Sequence, residues 1–572
     1  MRVGERGTYV TRGGSRVAKR ALRALAVRWL NPRVRLTLSR ILHRELGPRA
    51  WRAERRRERM ARVIASNPDL VSVDGAVVAR DISVIWGPDA VREAVHEALR
   101  QAEIEHVVVP VQGGRPVIAV QSTDVARLPD ALGRLPDGAT WRMGIDTSLR
   151  MRWLTLDAGC RKNLHAARAV WLRRAYVAAD GHDVAVEDHS EAVIQIWDVL
   201  AGGEARPDGE PHHAGTRIPR TEPVTVPYLL ASEWTALAQG SPQAHALVLP
   251  HLLAVTEPID VVYTWVDGED EDWQQRKSEA MGLHTEVINR TADAASRFIS
   301  RDELRFSLRS LELYAPWVRH VYVVTDGQRP DWLVESHPRL TVVDHSEIFR
   351  NADALPVFNS HAIESQLHHI EGLSDRYLYL NDDVFFGRPV HKETFFEANG
   401  ISKFFLSPAT LDVGPVSARD LPVLSAAKHN ADVIAKAWGR SITTKFKHTP
   451  HTQNRVLLDE MERRFPEVFE QVSGSRIRHP DDYSIASALQ HYYAYAEGRA
   501  VPAAIRYAYV DITARGAELP LTKLLRERDR DVFCLNDTFA DAAGRARADA
   551  VGRWFLSSYF PVPSTFERVG DS

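Results

Sequence analysis

Four predicted strands in the second half of the chain each end in an aspartate, and this repetition constrains the fold more than any other feature. The terminal aspartates are Asp267, Asp326, Asp344 and Asp382. Helical patterns lie between the first and second strands and between the third and fourth. Strands and helices alternating at this spacing favour βαβ units and a mainly parallel sheet. Because the carboxyl ends of such strands line the ligand crevice, we expect the aspartates there.

The element boundaries follow from hydrophobic periodicity. Strands are predicted at Ile259–Val266, His320–Thr325, Leu340–Val343 and Tyr377–Leu380, and helices at Glu303–Leu313, Ser360–Ile370 and Ala540–Trp554. The last of these strands stops at Asp382 and Asp383, after which an apolar run resumes. Carboxylates at a strand end can hold a divalent cation and, through it, a diphosphate. A solvated turn is the alternative, since Asn and Asp favour turns.

The chain is too long, at 572 residues, for a single core, so we expect two or three domains. We assign a basic helical arm to residues 1–62, a smaller α/β module to 63–250 and the catalytic part to 251–572. Within the module, a helix is predicted at Pro88–Ala102 and strands at Ile82–Trp86, Ile104–Pro110 and Pro116–Gln121. The Gly-, Pro- and His-rich stretch 202–223 is typical of an exposed linker.

The amino-terminal arm is strongly basic. Residues 1–60 contain 18 Arg or Lys against 4 Glu, and Val17–Trp29 places apolar residues on one helical face. Such a segment can lie on an anionic membrane surface. A solvated helical arm explains the same charge equally well. Nucleic-acid binding is not favoured, because no aromatic interleaving or known motif accompanies the charge.

The cysteine content and hydropathy bear on location. Cys160 and Cys534 are the two cysteines, far apart and without metal-ligand spacing, so the sequence indicates neither a disulfide framework nor a zinc site. No apolar stretch approaches the roughly 20 residues that span a bilayer, and no signal-peptide pattern follows Met1. We therefore expect a cytoplasmic protein, with the arm at 1–62 as its one candidate contact with the inner face of the plasma membrane.

Short motifs of the second half form four blocks. They are Asp260–Gly268; Arg301–Ser310, Tyr314–Val318, Val323–Gln328, Ala362–Gln366 and Leu380–Gly387; His448–His451 with Arg478–Asp482; and Cys534–Asp537 with Phe560–Glu567. In this order the blocks resemble the Stealth family of sugar-phosphate transferases. That family includes bacterial capsular polysaccharide phosphotransferases and the catalytic subunit of the lysosomal-enzyme GlcNAc-1-phosphotransferase. The resemblance covers just over half of the chain, and the first half has none.

The resemblance implies a Rossmann-like, glycosyltransferase-A-like core, with a mainly parallel sheet and helical additions. It implies transfer of a hexose or N-acetylhexosamine 1-phosphate from a nucleotide sugar, such as UDP-GlcNAc, to a hydroxyl of a glycan acceptor. The product is a phosphodiester and UMP is released, in capsule or exopolysaccharide synthesis. Catalysis of this kind depends mainly on alignment and charge neutralisation, with a base for the hydroxyl proton.

For the cation, the resemblance points to Asp382 and Asp383 as ligands of Mg²⁺ or Mn²⁺. Asp537 is a further candidate ligand, with an Asx-turn as its alternative reading. His448 is assigned as the base or as a stabiliser of the phosphoryl oxygens, and Arg478 as a charge clamp. Glu364 is expected to contact the sugar or act as base, against a solvated helix face as its alternative.

The remaining candidates are assigned to substrate binding. They are Asp260, Tyr263, Trp265, Asp267, Arg305, Arg309, Asp326, Ser360 and His451. Trp265 can stack on the base or be buried in the sheet core. Arg305 and Arg309 lie one helical turn apart and can bind one anionic group. Surface ion pairs with Glu303 or Glu312 are the alternative for these two arginines.

Two other functions compete with this one. A metal-dependent glycosyltransferase would use the same nucleotide pocket and acidic pair but would release UDP and form a glycosidic bond. A non-catalytic polysaccharide-binding protein is disfavoured because the charged positions are intact. The identities of donor and acceptor depend on loop shapes that the sequence does not reveal.

Overall fold

The computed structural model describes most of the chain beyond residue 69. The described residues are 70–73, 76–79, 90–109, 117–135, 141–147, 150–155, 164–177, 183–185, 191–202, 213–221, 226–241, 249–282, 301–412, 414–417, 420–537, 542–560 and 562–568. The predicted basic arm at 1–62, the predicted strand Ile82–Trp86 and Cys160 lie outside these residues.

The first half contains a sheet that has ten strands within the described residues. They are β1 (Leu70–Val73), β2 (Ala76–Ala79), β3 (His106–Val109), β4 (Val117–Gln121), β5 (Trp141–Thr147), β6 (Arg150–Thr155), β7 (Ala169–Val177), β8 (Asp183–Ala185), β9 (Glu191–Val199) and β10 (Arg217–Pro219). The longest path runs β1-β2-β7-β9-β4-β3, and its pairs are antiparallel except β4 with β9. This sheet and its helices confirm a smaller α/β unit in the first half.

Helices pack on this first sheet, namely α1 (Ala90–Gln101), α2 (Leu128–Leu132) and α3 (Ala231–Ala238). The first of them confirms the helix predicted at Pro88–Ala102. Its apolar residues Val91, Val95 and Leu99 are almost fully buried against the sheet. Strand β10 falls inside the stretch 202–223, where we predict a linker, and pairs with β9 through Arg217 and Val199. That part of the stretch is therefore ordered sheet and not linker.

The second half contains the remaining described strands and helices. The strands are β11 (Ile259–Thr264), β12 (Val321–Thr325), β13 (Leu340–Asp344), β14 (Arg376–Asn381), β15 (Val384–Phe386), β16 (Ser402–Phe404), β17 (Leu406–Thr410), β18 (Thr444–Phe446), β19 (His451–Asn454), β20 (Ala500–Pro502), β21 (Tyr507–Asp511) and β22 (Val532–Asn536). The helices are α4 (Glu271–Gly282), α5 (Glu303–Tyr314), α6 (His345–Ile348), α7 (Ser360–Glu364), α8 (Pro422–Trp438), α9 (Arg455–Arg464), α10 (Pro466–Ser473), α11 (Gln490–Ala496), α12 (Glu518–Glu527) and α13 (Ala542–Tyr559).

The main sheet of the second half has the order β13-β12-β11-β14-β19. Its first four strands are parallel and β19 is antiparallel at the edge. Adjacent residues of β11 bury opposite faces: Val261 packs in one core with α5, and Val262 packs in a second core with α9 and α10. A parallel sheet covered by helices on both faces explains why its strands read as nearly continuous apolar runs. The expected Rossmann-like α/β core is confirmed.

A smaller sheet of order β15-β22-β21 adjoins the main one. Val384 of β15 pairs with Cys534 of β22, and the two strands are antiparallel. Since β14 ends at Asn381 and β15 begins at Val384, the turn Asp382–Asp383 connects two different sheets. Two further pairs, β16 with β20 and β17 with β18, complete the strands. None of the described helices has both the length and the apolar character needed to cross a membrane.

Candidate active site

The carboxyl ends of the parallel strands meet at one edge of the main sheet. Thr264 of β11 pairs with Asn381 of β14 and with Val324 of β12, and Thr325 pairs with Asp344 of β13. The loops after these strands are joined by hydrogen bonds. The backbone N–H of Gly327 donates to Asp344 Oδ2 at 2.7 Å. The sequence-predicted edge is therefore formed as expected.

Asp382 and Asp383 lie in the turn at this edge, and a third carboxylate, Glu303, faces them from the first residue of α5. The pKa of Asp382 is raised well above its usual range by burial, by Glu303 and by Asp383. Burial also raises the pKa of Glu303, and the charge of Asp383 adds to that effect. These three carboxyl groups form an anionic pocket in which burial, and then repulsion between neighbouring charges, opposes the ionisation of Asp382 and Glu303 by raising the pKa of each. From sequence, Glu303 is predicted only as a possible surface ion-pair partner of an arginine, because its neighbours Asp382 and Asp383 lie about eighty residues further along the chain.

One arginine, Arg301, sits beside this group. Its Nη2 donates to Asp537 Oδ2 at 2.5 Å, its Nε donates to Asp549, and its Nη1 lies 3.5 Å from Glu303 Oε1. Burial raises the pKa of Asp537 despite the opposing charge of Arg301. Asp537, predicted as a metal ligand, is therefore held by an arginine just after β22.

Asp383 is contacted by an imidazole and a thiol. His448 Nε2 lies 3.1 Å from Asp383 Oδ1, and Cys534 Sγ donates to Asp383 Oδ2 at 3.3 Å. Burial alone would lower the pKa of His448, but the charge and hydrogen bond of Asp383 raise it above its ordinary value. Burial and the charge of Asp383 raise the pKa of Cys534 well above normal, so the thiol form is favoured. Cys534 is a neighbour of the site that its sequence spacing does not reveal.

A second group of polar residues comes from α7 and the segment around Arg478. Arg478 Nη2 donates to Ser360 Oγ at 2.6 Å, and the charge of Glu364 stabilises its guanidinium against burial. Glu364 is buried and accepts a hydrogen bond from Ser487 Oγ. Burial raises the pKa of Tyr379, and the charge of Glu364 adds to this effect. The charge of Glu364 also acts to raise the pKa of His448. The structure thus brings Glu364, Ser360 and Arg478 close to the His448 side of the anionic pocket.

Hydrogen bonds through Asn381 link these groups. The Tyr379 hydroxyl donates to Asn381 Oδ1 at 2.7 Å, and Asn381 Nδ2 lies 3.2 Å from His448 Nε2. The Thr264 hydroxyl lies 3.1 Å from the Tyr379 hydroxyl. The ends of β11 and β14 therefore fix the position of the His448 ring.

The end of β11 presents the predicted nucleotide-binding residues in different ways. Tyr263 is fully buried, and its hydroxyl lies 2.9 Å from Ser307 Oγ. Trp265 is partly buried and packs against the core beside α5. The backbone N–H of Asp267 donates to Gln328 Oε1 at 2.9 Å, so this loop is tied to the loop after β12. Trp265 and Asp267 lie at the open edge, whereas Tyr263 faces the core.

Asp260 does not join this edge. It is the second residue of β11, at the amino end of the strand, and is fully buried. Arg319 Nε donates to Asp260 Oδ1 at 2.8 Å, and the N–H of Ser374 donates to Oδ2 at 2.8 Å. The expectation that Asp260 lines the nucleotide pocket is not met by this placement, because parallel strands separate their two ends.

Arg305 and Arg309 both bind one carboxylate, but that carboxylate is Glu567. Arg309 Nε donates to Glu567 Oε1 at 2.8 Å, and Arg305 Nε donates to Oε2 at 2.5 Å. Arg309 and Glu567 are almost fully buried, with side-chain exposures of 3% and 1%. The shared anionic partner that helical spacing predicts exists, but it belongs to the protein and ties α5 to the segment after α13. Glu312 is likewise buried and accepts from Thr565.

Asp326 and His451 are also engaged within the protein. Asp326 Oδ2 accepts from Arg276 Nη2 of α4 at 2.9 Å. His451 is buried in β19, its Nδ1 lies 3.1 Å from His491 Nε2, and its ring stacks near Tyr379. Burial, followed by the charges of His491 and His448, lowers the pKa of His451 well below its usual value. His451 is thus a neutral support behind His448.

The pocket has two ways of holding a divalent cation. Ligand atoms of Asp383, His448 and Cys534 lie within 4.8 Å of one another. Alternatively, Asp382, Asp383 and Glu303 offer oxygen atoms of the kind that Mg²⁺ and Mn²⁺ prefer. Burial, and then repulsion from a neighbouring carboxylate, raises the pKa of both Asp382 and Glu303, and a cation bound beside them would relieve that repulsion. The residues present therefore fit a bound divalent cation.

Four family patterns match the second half of the chain. They are Stealth protein conserved region 1 at residues 257–285, conserved region 2 at 297–404, conserved region 3 at 447–495 and conserved region 4 at 522–572. Glu303, Glu364, Asp382 and Asp383 fall in region 2, and His448 and Arg478 fall in region 3.

Known proteins match over nearly all of the chain or over a little more than half of it. An exopolysaccharide phosphotransferase of Streptomyces coelicolor is 41% identical over 96% of this chain and 95% of its own length. A second one from the same organism is 48% identical over 55% of this chain and 52% of its own length. The exopolysaccharide phosphotransferase CpsY of Mycobacterium tuberculosis is 38% identical over 57% of this chain and 61% of its own length.

Among solved structures, the galactosyltransferase LgtC in complex with donor and acceptor sugar analogs is similar at 13% identity. The match covers 51% of this chain and 95% of that chain, with a TM-score of 0.27. The α/β core is established by its own strand order.

Proposed function

Because this chain belongs to the Stealth family, we propose that it is an exopolysaccharide phosphotransferase that moves a sugar 1-phosphate from a nucleotide sugar to a glycan hydroxyl. The carboxylate pocket of Asp382, Asp383 and Glu303, with His448 on Asp383, is the observation that carries the proposal. An anionic pocket at a strand-end edge suits a cation-bound diphosphate, and a histidine beside it suits proton transfer.

In the proposed reaction the acceptor hydroxyl oxygen attacks the phosphorus that bears the donor sugar. A new oxygen–phosphorus bond forms, and the bond from that phosphorus to the nucleoside monophosphate breaks, with its electron pair leaving on UMP. The bond between the anomeric carbon and its oxygen is untouched, so the anomeric configuration is retained. The hydroxyl proton passes to a base of the protein.

His448 is the proposed base. Its Nε2 is held by Asp383, so Nδ1 is the nitrogen left to take the proton. Asp383 stabilises the resulting imidazolium, which is the form that its charge already favours. A pKa above the ordinary histidine value makes the ring a stronger acceptor for a hydroxyl proton. Arg478, which donates to Ser360, would bind the phosphoryl oxygens. Glu364, which accepts from Ser487, would accept a hydrogen bond from a sugar hydroxyl.

Mg²⁺ or Mn²⁺ is the proposed cation, with Asp382 as the main ligand and Asp383 and Glu303 beside it. When bound, such an ion neutralises the diphosphate and the leaving phosphate. Asp382 fits this role because the two oxygens of Asp383 already accept from His448 and Cys534. Trp265 and Asp267, at the open end of β11, are the proposed contacts to the nucleoside.

The test is the identity of the released nucleotide. Purified protein is incubated with a panel of nucleotide sugars, a glycan acceptor and Mg²⁺ or Mn²⁺, and UMP and UDP are quantified by chromatography. We expect UMP together with a phosphodiester-linked product. Release of UDP with a glycosidic product would instead establish a metal-dependent glycosyltransferase. Binding of glycan without turnover of any donor would establish a non-catalytic polysaccharide-binding protein.

Variants link the activity to the pocket. We expect D382A and D383A to abolish UMP release, while D331A, which removes an exposed carboxylate beyond β12, retains it. Equal activity in all three variants would show that the carboxylate pocket takes no part in the reaction.

A further inference from the structure

Four side chains with metal-ligand chemistry converge at a second place, away from the active site. They are His368, His369, Asp459 and Glu462, each offering one ligand atom, and these atoms lie within 4.8 Å of one another. The histidines come from a 3₁₀ turn, Leu367–His369, that precedes β14. The carboxylates lie three residues apart on α9, and therefore on one face of that helix.

The distances suit ligands of one ion. Glu462 Oε2 lies 3.1 Å from His368 Nε2 and 3.1 Å from His369 Nε2. Zinc binds nitrogen and oxygen at about 2.0–2.2 Å in a tetrahedron, which separates two ligand atoms by roughly 3.3 Å. Asp459 Oδ1 is 3.9 Å from His368 Nε2, and its side chain is 35% exposed. Asp459 can therefore close the remaining distance by a small rotation.

The protons on His369 also indicate a missing positive charge. His369 Nδ1 lies 3.0 Å from the carbonyl oxygen of Ile348, which can only accept, so Nδ1 carries a hydrogen. In a neutral ring Nε2 then has a lone pair, yet it faces a carboxylate oxygen of Glu462. A lone pair and a carboxylate oxygen repel each other unless a proton or a metal cation lies between them. A backbone carbonyl that orients the far nitrogen is the usual support of a metal-binding histidine.

The surroundings favour the second explanation. His368 is almost fully buried, where a charged ring would be costly. A neutral imidazole is the form that binds metal. Two carboxylates face the cluster. Among the described residues, the arginine that pairs with them is Arg350, which reaches Glu462 Oε2 at 3.1 Å from a side chain that is 64% exposed. Its single charge leaves the second carboxylate of the cluster to be balanced.

We propose that His368, His369, Asp459 and Glu462 bind a structural zinc ion. A set of two imidazoles and two carboxylates suits zinc better than magnesium, which prefers oxygen ligands alone. The ion joins the turn before β14 to α9, which follows β19. It therefore clamps two segments next to neighbouring strands of the main sheet, one of which leads into Asp382 and Asp383.

The test measures metal content and binding on the full chain. Zinc per chain is determined by mass spectrometry after purification, and the metal-free protein is titrated with Co²⁺, whose visible absorption reports tetrahedral coordination. E462Q and H369A remove ligands. E460Q is the matched control, because Glu460 lies on the same helix but pairs with Arg499 at 3.0 Å. D383A separates this site from the active-site group.

We expect wild type, E460Q and D383A each to bind one zinc ion per chain tightly, and E462Q and H369A to lose this binding. The affinity should fall by more than about 100-fold, since loss of an outer-shell partner alone costs about 10- to 100-fold. A chelator should lower the melting temperature of wild type and E460Q but leave that of E462Q unchanged, which distinguishes metal loss from misfolding. The proposal would be overturned if E462Q bound zinc with the stoichiometry and affinity of wild type, or if D383A bound no zinc. The cluster would then be an ion pair of Glu462 with a charged His369.

Discussion

At the residue scale, the behaviour of His448 depends on Asp383. The contact between His448 Nε2 and Asp383 Oδ1 pairs a ring with a carboxylate, and this attraction keeps the pKa of His448 raised. In D383N that attraction is gone while burial remains, so we expect the pKa of His448 to fall. The measurement is an NMR titration of labelled histidine rings in wild type and D383N. A pKa that stays constant would show that Asp383 does not tune His448.

A second prediction at this scale concerns Glu567. The carboxylate is buried and binds both Arg305 and Arg309. Removing one partner from a buried ion pair leaves an uncompensated charge, which costs about 3–5 kcal/mol. We therefore expect E567Q to lower the free energy of unfolding by about that amount in urea denaturation. E335Q is the control, because Glu335 is 89% exposed, and it should change little.

The same carboxylate predicts a pH dependence. Burial would raise the pKa of Glu567, but the hydrogen bond and charge of Arg309 lower it overall. A lowered folded-state pKa gives stability that is present above the unfolded-state value and is lost as the pH falls through the folded-state value. The stability difference between wild type and E567Q should therefore be full at neutral pH and shrink in acid. A difference that grows on acidification would contradict this assignment.

These residues show what one sequence can and cannot reveal. Helical spacing predicts that Arg305 and Arg309 share an anion, but it cannot show that Glu567, more than 250 residues away, supplies it. Glu303 and Cys534 reach Asp383 only through folding, so no local pattern signals them. The position of Asp260 could have been predicted from the sequence. As the second residue of its strand, it lies at the edge of the sheet opposite to the strand's carboxyl end.

At the element scale, strand and helix positions follow the sequence closely. The predicted strand Tyr377–Leu380 is observed as Arg376–Asn381, and the predicted helix Glu303–Leu313 as Glu303–Tyr314. Helix Ser360–Ile370 is the exception, because it stops at Glu364. The Ser365 hydroxyl there donates to the carbonyl of Ala362, a local bond that competes with a continuing helix. Such competition is decided by tertiary context, which hydrophobic periodicity does not contain.

The join between the small sheet and the loop after it depends on Gly387. A Cβ at this position would lie 2.6 Å from the carbonyl oxygen of Arg530, a backbone atom that cannot move aside freely. We expect G387A to destabilise the protein by about 1–3 kcal/mol, as overpacking does. G282A is the control, since nothing lies within 4 Å of a Cβ there. Thermal melts followed by circular dichroism measure both, and equal melting temperatures would contradict the prediction.

At the scale of the whole molecule, the four Stealth regions supply all of the proposed catalytic groups, and the first half supplies none of them. The first half is nonetheless shared with one relative that matches 96% of the chain, whereas others match 55–57%. Sequence reasoning predicts an α/β module in the first half but not the sheet of ten described strands. Much of that sheet is antiparallel pairing between distant strands, which strand patterns alone do not specify.

Ligand binding gives a prediction for the molecule as a whole. A ligand that binds the folded chain and not the unfolded one raises the free energy of unfolding. The increase is about 2.7 kcal/mol when the ligand concentration is one hundred times its dissociation constant. We expect Mg²⁺ or Mn²⁺ together with the correct nucleotide sugar to raise the melting temperature of wild type. A double variant, D382A with D383A, should show no such rise. An equal shift in both proteins would place the donor away from the carboxylate pocket.

The turn at Asp382–Asp383 connects two sheets, and this has a consequence for when the site appears. Asp383 meets Cys534 only when β15 has paired with β22, and Cys534 lies 151 residues further along the chain. A chain in which the main sheet alone has formed therefore lacks the hydrogen bond from Cys534 to Asp383. Assembly of the small sheet is therefore the step that completes the surroundings of Asp383.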